Sequence, residues 1–340
     1  MCLFRRSSRA FTLIETLVCL SGIGILTALL LPAAMSAREA ARRLKCSHNL
    51  NQVGIALQSY HASNNCFPPD HIAYGYSKGG PPGPMKGPAQ FCSAMVRLLP
   101  FLEQQATFNS ANFDVEFSPE SWEVHSANLT AYNTKLASFL CPSDSVVNNI
   151  KHGNSYWGNT GVGPSFATSM ECPDSGNGFF GYPSTIDSSS FLDGLSHTVA
   201  FSERICGTNV TSAQGVPERD FSSLSDYPEA CNRDADFALG WCRVASTSTN
   251  FPTYRDAGST WFYAGRISTE YCHAQEPNGR IPDGLLSNFF PFNGISTARS
   301  WHHGGVNALM SDGSIRFVGD SINRRVWRGI GTRNGGELVE

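Results

Sequence analysis

Four side chains in the C-terminal half of the chain carry the chemistry most worth testing. His302 and Asp312 belong to the run His302-His303-Gly304-Gly305-Val306-Asn307-Ala308-Leu309-Met310-Ser311-Asp312-Gly313, and Asp193 and Glu203 lie upstream. Carboxylates combined with backbone carbonyls suit Ca²⁺, so Asp193, Glu203 and Asp312 are weak calcium candidates. A histidine among carboxylates can also hold zinc or iron. The local sequence favours structural roles instead. Asp312-Gly313 and Asp193-Gly194 read as turns, and Gly304-Gly305 permits tight backbone geometry before a strand. His302 and Asp312, ten residues apart, stand up to ~30 Å from one another on a straight strand. His302 is therefore expected to anchor the start of a strand and Asp312 to shape its turn, with no metal and no cofactor. No Gly-x-Ser-x-Gly elbow, phosphate-binding loop or His-Glu-x-x-His occurs, and the residues point away from an enzyme.

A different kind of chemistry sits at the N-terminus. Arg5-Arg6-Ser7-Ser8-Arg9-Ala10 leads into Phe11-Thr12-Leu13-Ile14-Glu15 and an apolar run ending at Leu31-Pro32. Residues 11–31 would span about 31 Å as a helix, enough for a bilayer core. Glu15 is the single carboxylate in that run, and a charge there costs roughly 2.5–3.5 kcal/mol on insertion scales, so it calls for a partner. The pattern resembles the type IV prepilin signal. That resemblance implies cleavage between Ala10 and Phe11 by a membrane prepilin peptidase and methylation of the new amine. It also implies an assembly role for Glu15 against the N-terminal amine of a neighbouring subunit. Ala10 departs from the glycine usual before the cut, and Thr16 from a common leucine. The competing readings are a plain anchor or a secretory signal peptide, whose apolar core is shorter than this one.

The elements that must position these residues follow from periodicity. Leu50, Val53, Leu57 and Tyr60 recur at helical spacing, so an amphipathic helix continues beyond Pro32 to about residue 61 and packs this stripe on a globular domain. The expected divisions are a leader at 1–10, a transmembrane helix at 11–31, an amphipathic continuation at 32–64 and a β-rich domain at 65–340. Charged residues make up only 16% of the chain against 32 Gly and 19 Pro, which suits a turn-rich extracytoplasmic domain. A net charge of −3 offers no basic face for nucleic acid. Residues 75–87 read as a loop. Short helices are expected at 101–108 and 121–133, strands at 198–201 and 261–264, and a closing helix at 321–330. Asp312-Gly313 between strands 306–311 and 314–318 predicts a two-residue type I′ hairpin. Residues 207–257 show no assignable element. The fold class is α+β: a long N-terminal pilin-like helix, transmembrane in its first half, packed on a β-rich, mostly antiparallel domain.

Eleven cysteines include Cys2 in the leader and Cys19 in the apolar run, leaving an odd nine beyond the membrane. In an oxidising compartment several should pair, and otherwise they act as small buried hydrophobes. The His-x9-Asp-Gly run, Cys46-Ser47-His48-Asn49-Leu50, Leu98-Leu99-Pro100-Phe101-Leu102-Glu103-Gln104, Phe139-Leu140-Cys141-Pro142-Ser143-Asp144 and Asp193-Gly194-Leu195-Ser196-His197-Thr198 occur in this order. Together they resemble the bacterial prepilin-like family known as domain of unknown function 1559. The resemblance makes His302, Gly304, Gly305, Asp312 and Gly313 its C-terminal motif. It also implies that Cys46 and Cys141, both in matching segments, are paired or adjacent. The expected function is a membrane-inserted prepilin- or pseudopilin-like structural subunit of a type II secretion or type IV pilus-like structure. The expected partners are prepilin peptidase, other pilin or pseudopilin subunits and the bacterial cytoplasmic membrane, with no nucleic acid. A single pass would leave the N-terminus cytoplasmic and the domain outside. The alternative is an anchored solute- or glycan-binding protein that does not polymerise.

Overall fold

In a computed structural model, the chain forms one long helix followed by a mixed domain with two sheets. The structure describes residues 12–70, 92–115, 124–148, 150, 152–164, 176–181, 186–208, 216, 218–224, 235–245, 253–285 and 294–336. The 75–87 loop, Ala10 and Phe11 lie outside them. The chain divides into two compact units, Met1–Leu44 and Lys45–Glu340.

Helix α1 (Leu13–Asn64) is unbroken over 52 residues and carries Pro32 inside it. Its start is a reciprocal cap. Thr12 N–H and Oγ1–H both donate to Glu15 Oε2 at 2.9 Å, and Glu15 N–H points back at Thr12 Oγ1. This is the capping box that Thr-x-x-Glu encodes. The apolar side chains from Leu13 to Met35 are exposed. From Cys46 onward one stripe is buried, comprising Cys46, Leu50, Val53 and Leu57, with Tyr60 half-buried at its end.

In the second unit, strands β1 (Tyr156–Asn159), β2 (Val199–Glu203), β5 (Glu270–Tyr271), β8 (Gly305–Met310) and β9 (Ile315–Gly319) form a sheet in the order β5-β1-β2-β8-β9. Only β5 runs parallel to its neighbour. Both faces are covered, which is why β2 and β8 are buried throughout. Phe201 and Leu309 join the α1 stripe in one core. Val199, Val306, Ala308 and Met310 face a second core that includes Trp327 from helix α6 (Arg324–Gly329). A smaller sheet of β4 (Thr253–Tyr254), β3 (Phe221–Ser223), β6 (Asp283–Leu285) and β7 (Gly294–Ile295) packs with helix α5 (Ala235–Ala245).

Several expected elements change. The 261–264 segment is no strand: Thr260 and Tyr263 each make one isolated bridge, and Trp261 and Phe262 fill the α1-side core. Of the helix expected at 121–133, residues 121–123 lie outside the described residues, and the rest holds a 3₁₀ turn at Ser126–Asn128 and a single helical turn at Leu129–Tyr132. The 101–108 region splits around Glu103, which adopts φ +60°.

The hairpin is also corrected. Gly313 N–H bonds Met310 O at 3.0 Å, Met310 N–H bonds Ser314 O at 2.8 Å, and positive φ is confined to Gly313. A type I′ turn needs positive φ at both central residues. The loop is instead three residues, a type I turn closed by a glycine bulge. Asp312 Oδ1 holds it by accepting from Ser314 N–H and Oγ–H. At Gly313, φ +90°, an added Cβ would make only ordinary van der Waals contact with the Gln58 side chain, so valine there meets backbone strain rather than a clash. Gly313→Val should lower stability by about 1–3 kcal/mol in denaturant titration, and Gly313→Asn by less. Equal midpoints for wild type and valine variant would remove the turn from the folding account.

His273 titrates against the fold. Its Nδ1–H donates to Trp327 O at 2.7 Å, its Nε2 accepts from Tyr271 O–H at 2.8 Å, and its ring stacks on Trp327. Full burial pushes its pKa from 6.5 down to about 3. The folded state thus binds the proton less readily than the unfolded chain. The contribution is complete above about pH 6.5 and is lost as pH falls toward 3, on the order of 4 kcal/mol. Melting temperatures from pH 7 to 3 should fall more steeply for wild type than for His273→Gln; parallel curves would refute this.

Candidate functional site

Two places on the chain gather the chemistry. The first is the N-terminal half of α1. It is long and apolar enough to cross a membrane. Leu13, Ile14, Leu17, Val18, Leu20, Ile23, Ile25 and Leu26 are more than half exposed, so this surface is dressed for an apolar surrounding rather than for water. Glu15, the only acidic residue of its first turn, is satisfied within the chain by Thr12.

The second is a buried clasp between α1 and the five-stranded sheet. Helical spacing puts Cys46 on the same stripe as Leu50 and Val53. Cys141 follows the 3₁₀ turn Ala137–Phe139, and the two cysteines form a disulfide with Cα atoms 5.0 Å apart. Around it the helix is tied by polar contacts. Asn49 Nδ2–H₂ donates to Ala137 O and Leu140 O, and Tyr156 O–H donates to Cys46 O at 3.0 Å. Further along, Gln58 Nε2–H₂ reaches Ser311 O at 2.7 Å. Gly54 leaves the space that Leu309 Cδ1 takes, so a side chain there would push the hairpin from the helix.

Glu203, the last residue of β2, and His302, just before β8, close this clasp. His302 Nε2 lies 3.2 Å from Glu203 Oε1 and 3.7 Å from Cys141 Sγ. Glu203 Oε2 accepts Asn307 N–H at 2.8 Å, and Oε1 accepts Asn307 Nδ2–H₂ at 2.9 Å. His302 is set by its own loop: Ser300 Oγ accepts His302 N–H and donates to Gly305 O. Gly304 takes φ +84°, and Gly305 lies so close to Val318 O that a Cβ would clash. The two glycines therefore let the chain turn from His302 into β8 beside β9. Cys46, Cys141, Glu203 and His302 are all buried, with one ligand-type atom from each within 4.8 Å of all the others.

The other two sequence candidates lie apart from this group. Asp312 is occupied by its turn, at the opposite end of β8 from His302. Asp193 accepts Gly335 and Gly336 N–H and pins the C-terminal segment. The three calcium candidates thus have separate tasks, Glu203 in the clasp, Asp312 in the hairpin turn and Asp193 at the C-terminal segment. Nothing local in the sequence links Glu203 to the two cysteines. The signal that could have found it is position: a glutamate ending a strand of uncharged, mostly apolar residues, Val199-Ala200-Phe201-Ser202-Glu203, is costly to bury without partners.

Asp144, three residues after Cys141, anchors that loop to the domain. It accepts Cys206 N–H at 2.7 Å and Arg219 Nη2–H at 2.9 Å, while Arg219 stacks on Trp301 next to His302.

No curated protein and no solved structure matches the chain. A family described as "Protein of unknown function (DUF1559)" matches residues 35–325, a stretch that holds all four clasp residues and leaves Thr12 and Glu15 outside. With most of its length inside that match, including the His302-to-Gly313 motif, the chain belongs to the DUF1559 family.

Proposed function

We propose that this chain is a structural subunit of the prepilin or pseudopilin kind, anchored by the first half of α1 and assembled with other such subunits. The observation that carries the reading is that helix: its apolar side chains from Leu13 to Met35 are exposed, with one acidic residue in its first turn. In a bilayer or a bundle of like helices that surface is satisfied. Glu15 would exchange part of its Thr12 cap for the amine of a neighbour, an ion pair in place of a bond to an uncharged donor. Processing by prepilin peptidase between Ala10 and Phe11 would create that amine. The domain would stand outside the cytoplasmic membrane, where the Cys46–Cys141 disulfide is at home.

Glu15→Ala and Glu15→Gln, expressed in the native host, test the reading. Both variants should reach the membrane in wild-type amounts and drop out of isolated filaments or envelope complexes by tenfold or more. Mass spectrometry of membrane-extracted wild type should find a mature chain beginning at N-methylated Phe11. A mature chain starting at Met1, or complexes indifferent to both substitutions, would leave an anchored display protein as the better account, and a mature chain starting beyond residue 34 would make the apolar segment a removed signal peptide.

A further inference from the structure

The clasp holds a ligand set as well as a disulfide. Two sulfurs, an imidazole nitrogen and a carboxylate oxygen, all buried, converge within 4.8 Å. Zinc takes this donor mixture tetrahedrally, at about 2.3 Å to sulfur and 2.0–2.2 Å to nitrogen and oxygen. Those bond lengths require nitrogen–oxygen and nitrogen–sulfur edges of about 3.4 and 3.5 Å. The observed separations are 3.2 Å from His302 Nε2 to Glu203 Oε1 and 3.7 Å from His302 Nε2 to Cys141 Sγ. His302 Nε2 therefore already stands near tetrahedral edge spacing from two of the other donors, and the two bonded sulfurs must part. Supporting contacts are in place too: Asn307 orients the Glu203 carboxylate through both its backbone and side-chain N–H groups.

We propose that Cys46, Cys141, Glu203 and His302 form a divalent, zinc-type metal site when the two cysteines are reduced, and that disulfide formation and metal binding are alternative states of one centre. The exchange balances. A phosphine reductant takes two electrons' worth of bonding to oxygen: the S–S bond breaks, water's oxygen goes to phosphorus, and its two hydrogens become the Cys46 and Cys141 thiol protons. A divalent cation then displaces those two protons and binds two thiolates, with His302 Nε2 and a Glu203 oxygen completing the shell. Two negative charges arrive with the thiolates and two positive charges with the metal, so the buried net charge is the same in both states. That equality removes the main electrostatic objection to a metal in so dry a site. Either state fastens α1 to the loop after Ala137–Phe139, so the clasp can hold before oxidation as well as after it.

Cobalt(II) is the probe, added to the full-length chain in detergent after reduction by a water-soluble phosphine. The reduced protein should take up one more equivalent of cobalt than the Cys46→Ser/Cys141→Ser double variant, with thiolate-to-cobalt charge-transfer and tetrahedral d–d bands. The disulfide form should show no such equivalent. His302→Ala and Glu203→Gln, with both cysteines intact and reduced, should each weaken binding at least tenfold. Should reduction unfold the metal-free chain, zinc must restore its circular dichroism and thermal transition in wild type and fail to do so in His302→Ala. Equal cobalt uptake by wild type and the double variant, tetrahedral bands unaffected by His302→Ala, or a reduced chain that zinc cannot refold would each overturn the proposal.

Discussion

Replacing Asp283 with alanine should cost more stability than any other single substitution discussed for this chain, about 3–5 kcal/mol. Asp283, on β6, is fully buried between two arginines. Arg204 Nη2–H donates to Oδ2 at 2.9 Å, Arg299 Nη2–H reaches Oδ1 at 3.3 Å, and Thr297 N–H also donates to Oδ2. Burial pushes the Arg204 pKa down, and Asp283 opposes that shift. The Arg204 guanidinium lies over the rings of Trp157 and Phe221, so it has no route to water by rotation alone. Without the carboxylate, two buried cations face one another. Natural domains have only about 5–15 kcal/mol in hand, so the variant should be largely unfolded or severely destabilised at 37 °C. Asp283→Asn, which keeps the shape and loses the charge, should sit close to the alanine variant. Denaturant midpoints decide it: a loss below about 1 kcal/mol for Asp283→Ala would mean the arginines find other partners.

Loss of the Cys46–Cys141 bond ranks second. It closes a loop whose ends are 95 residues apart. Chain entropy assigns a loop of that size up to about 4.7 kcal/mol, and native disulfides typically contribute 2–5 kcal/mol. In chelator-containing buffer, phosphine reduction or Cys141→Ser should therefore lower the unfolding free energy by that amount and move the urea midpoint down accordingly. The hydrogen bonds of Asn49 and Tyr156 should persist, because they do not depend on the sulfurs. The second unit should accordingly stay folded in the cold and melt earlier. A reduced chain with an unchanged midpoint in the absence of metal would show that the polar contacts alone carry the docking.

What the sequence disclosed was local. The α1 stripe at residues 50, 53 and 57 is legible because 3.6-residue periodicity needs no partner to be read. The β8–β9 hairpin is legible for the same reason, and its turn type was misread because Asp-Gly serves both a type I′ turn and a type I turn with a glycine bulge. Only the register, Leu309 opposite Ile315, distinguishes them. Helix α5 hid in a stretch of mixed polarity. The smaller sheet hid because its strands are two or three residues long, below the length at which alternation becomes a signal. Residues 261–264 have strand composition, and tertiary packing overrode it. The clasp was half visible. Family-like segments pointed to Cys46 and Cys141, whereas the approach of His302 to Glu203 joins residues 99 apart and is set by sheet register and by the Ser300–Gly305 loop.

The disulfide turns residues 46–141 into a covalent ring threaded on an otherwise linear chain. The Gly- and Pro-rich run from Gly75 to Gly87 lies inside that ring. A protease cut there would open the ring without dividing the molecule: both pieces stay attached through sulfur. On a gel the nick would pass unseen until a reductant is added, when the fragment bearing α1 separates from the rest. A cut in this stretch of chain and the parting of the two pieces are thereby separate events, coupled through the redox state of the Cys46–Cys141 bond.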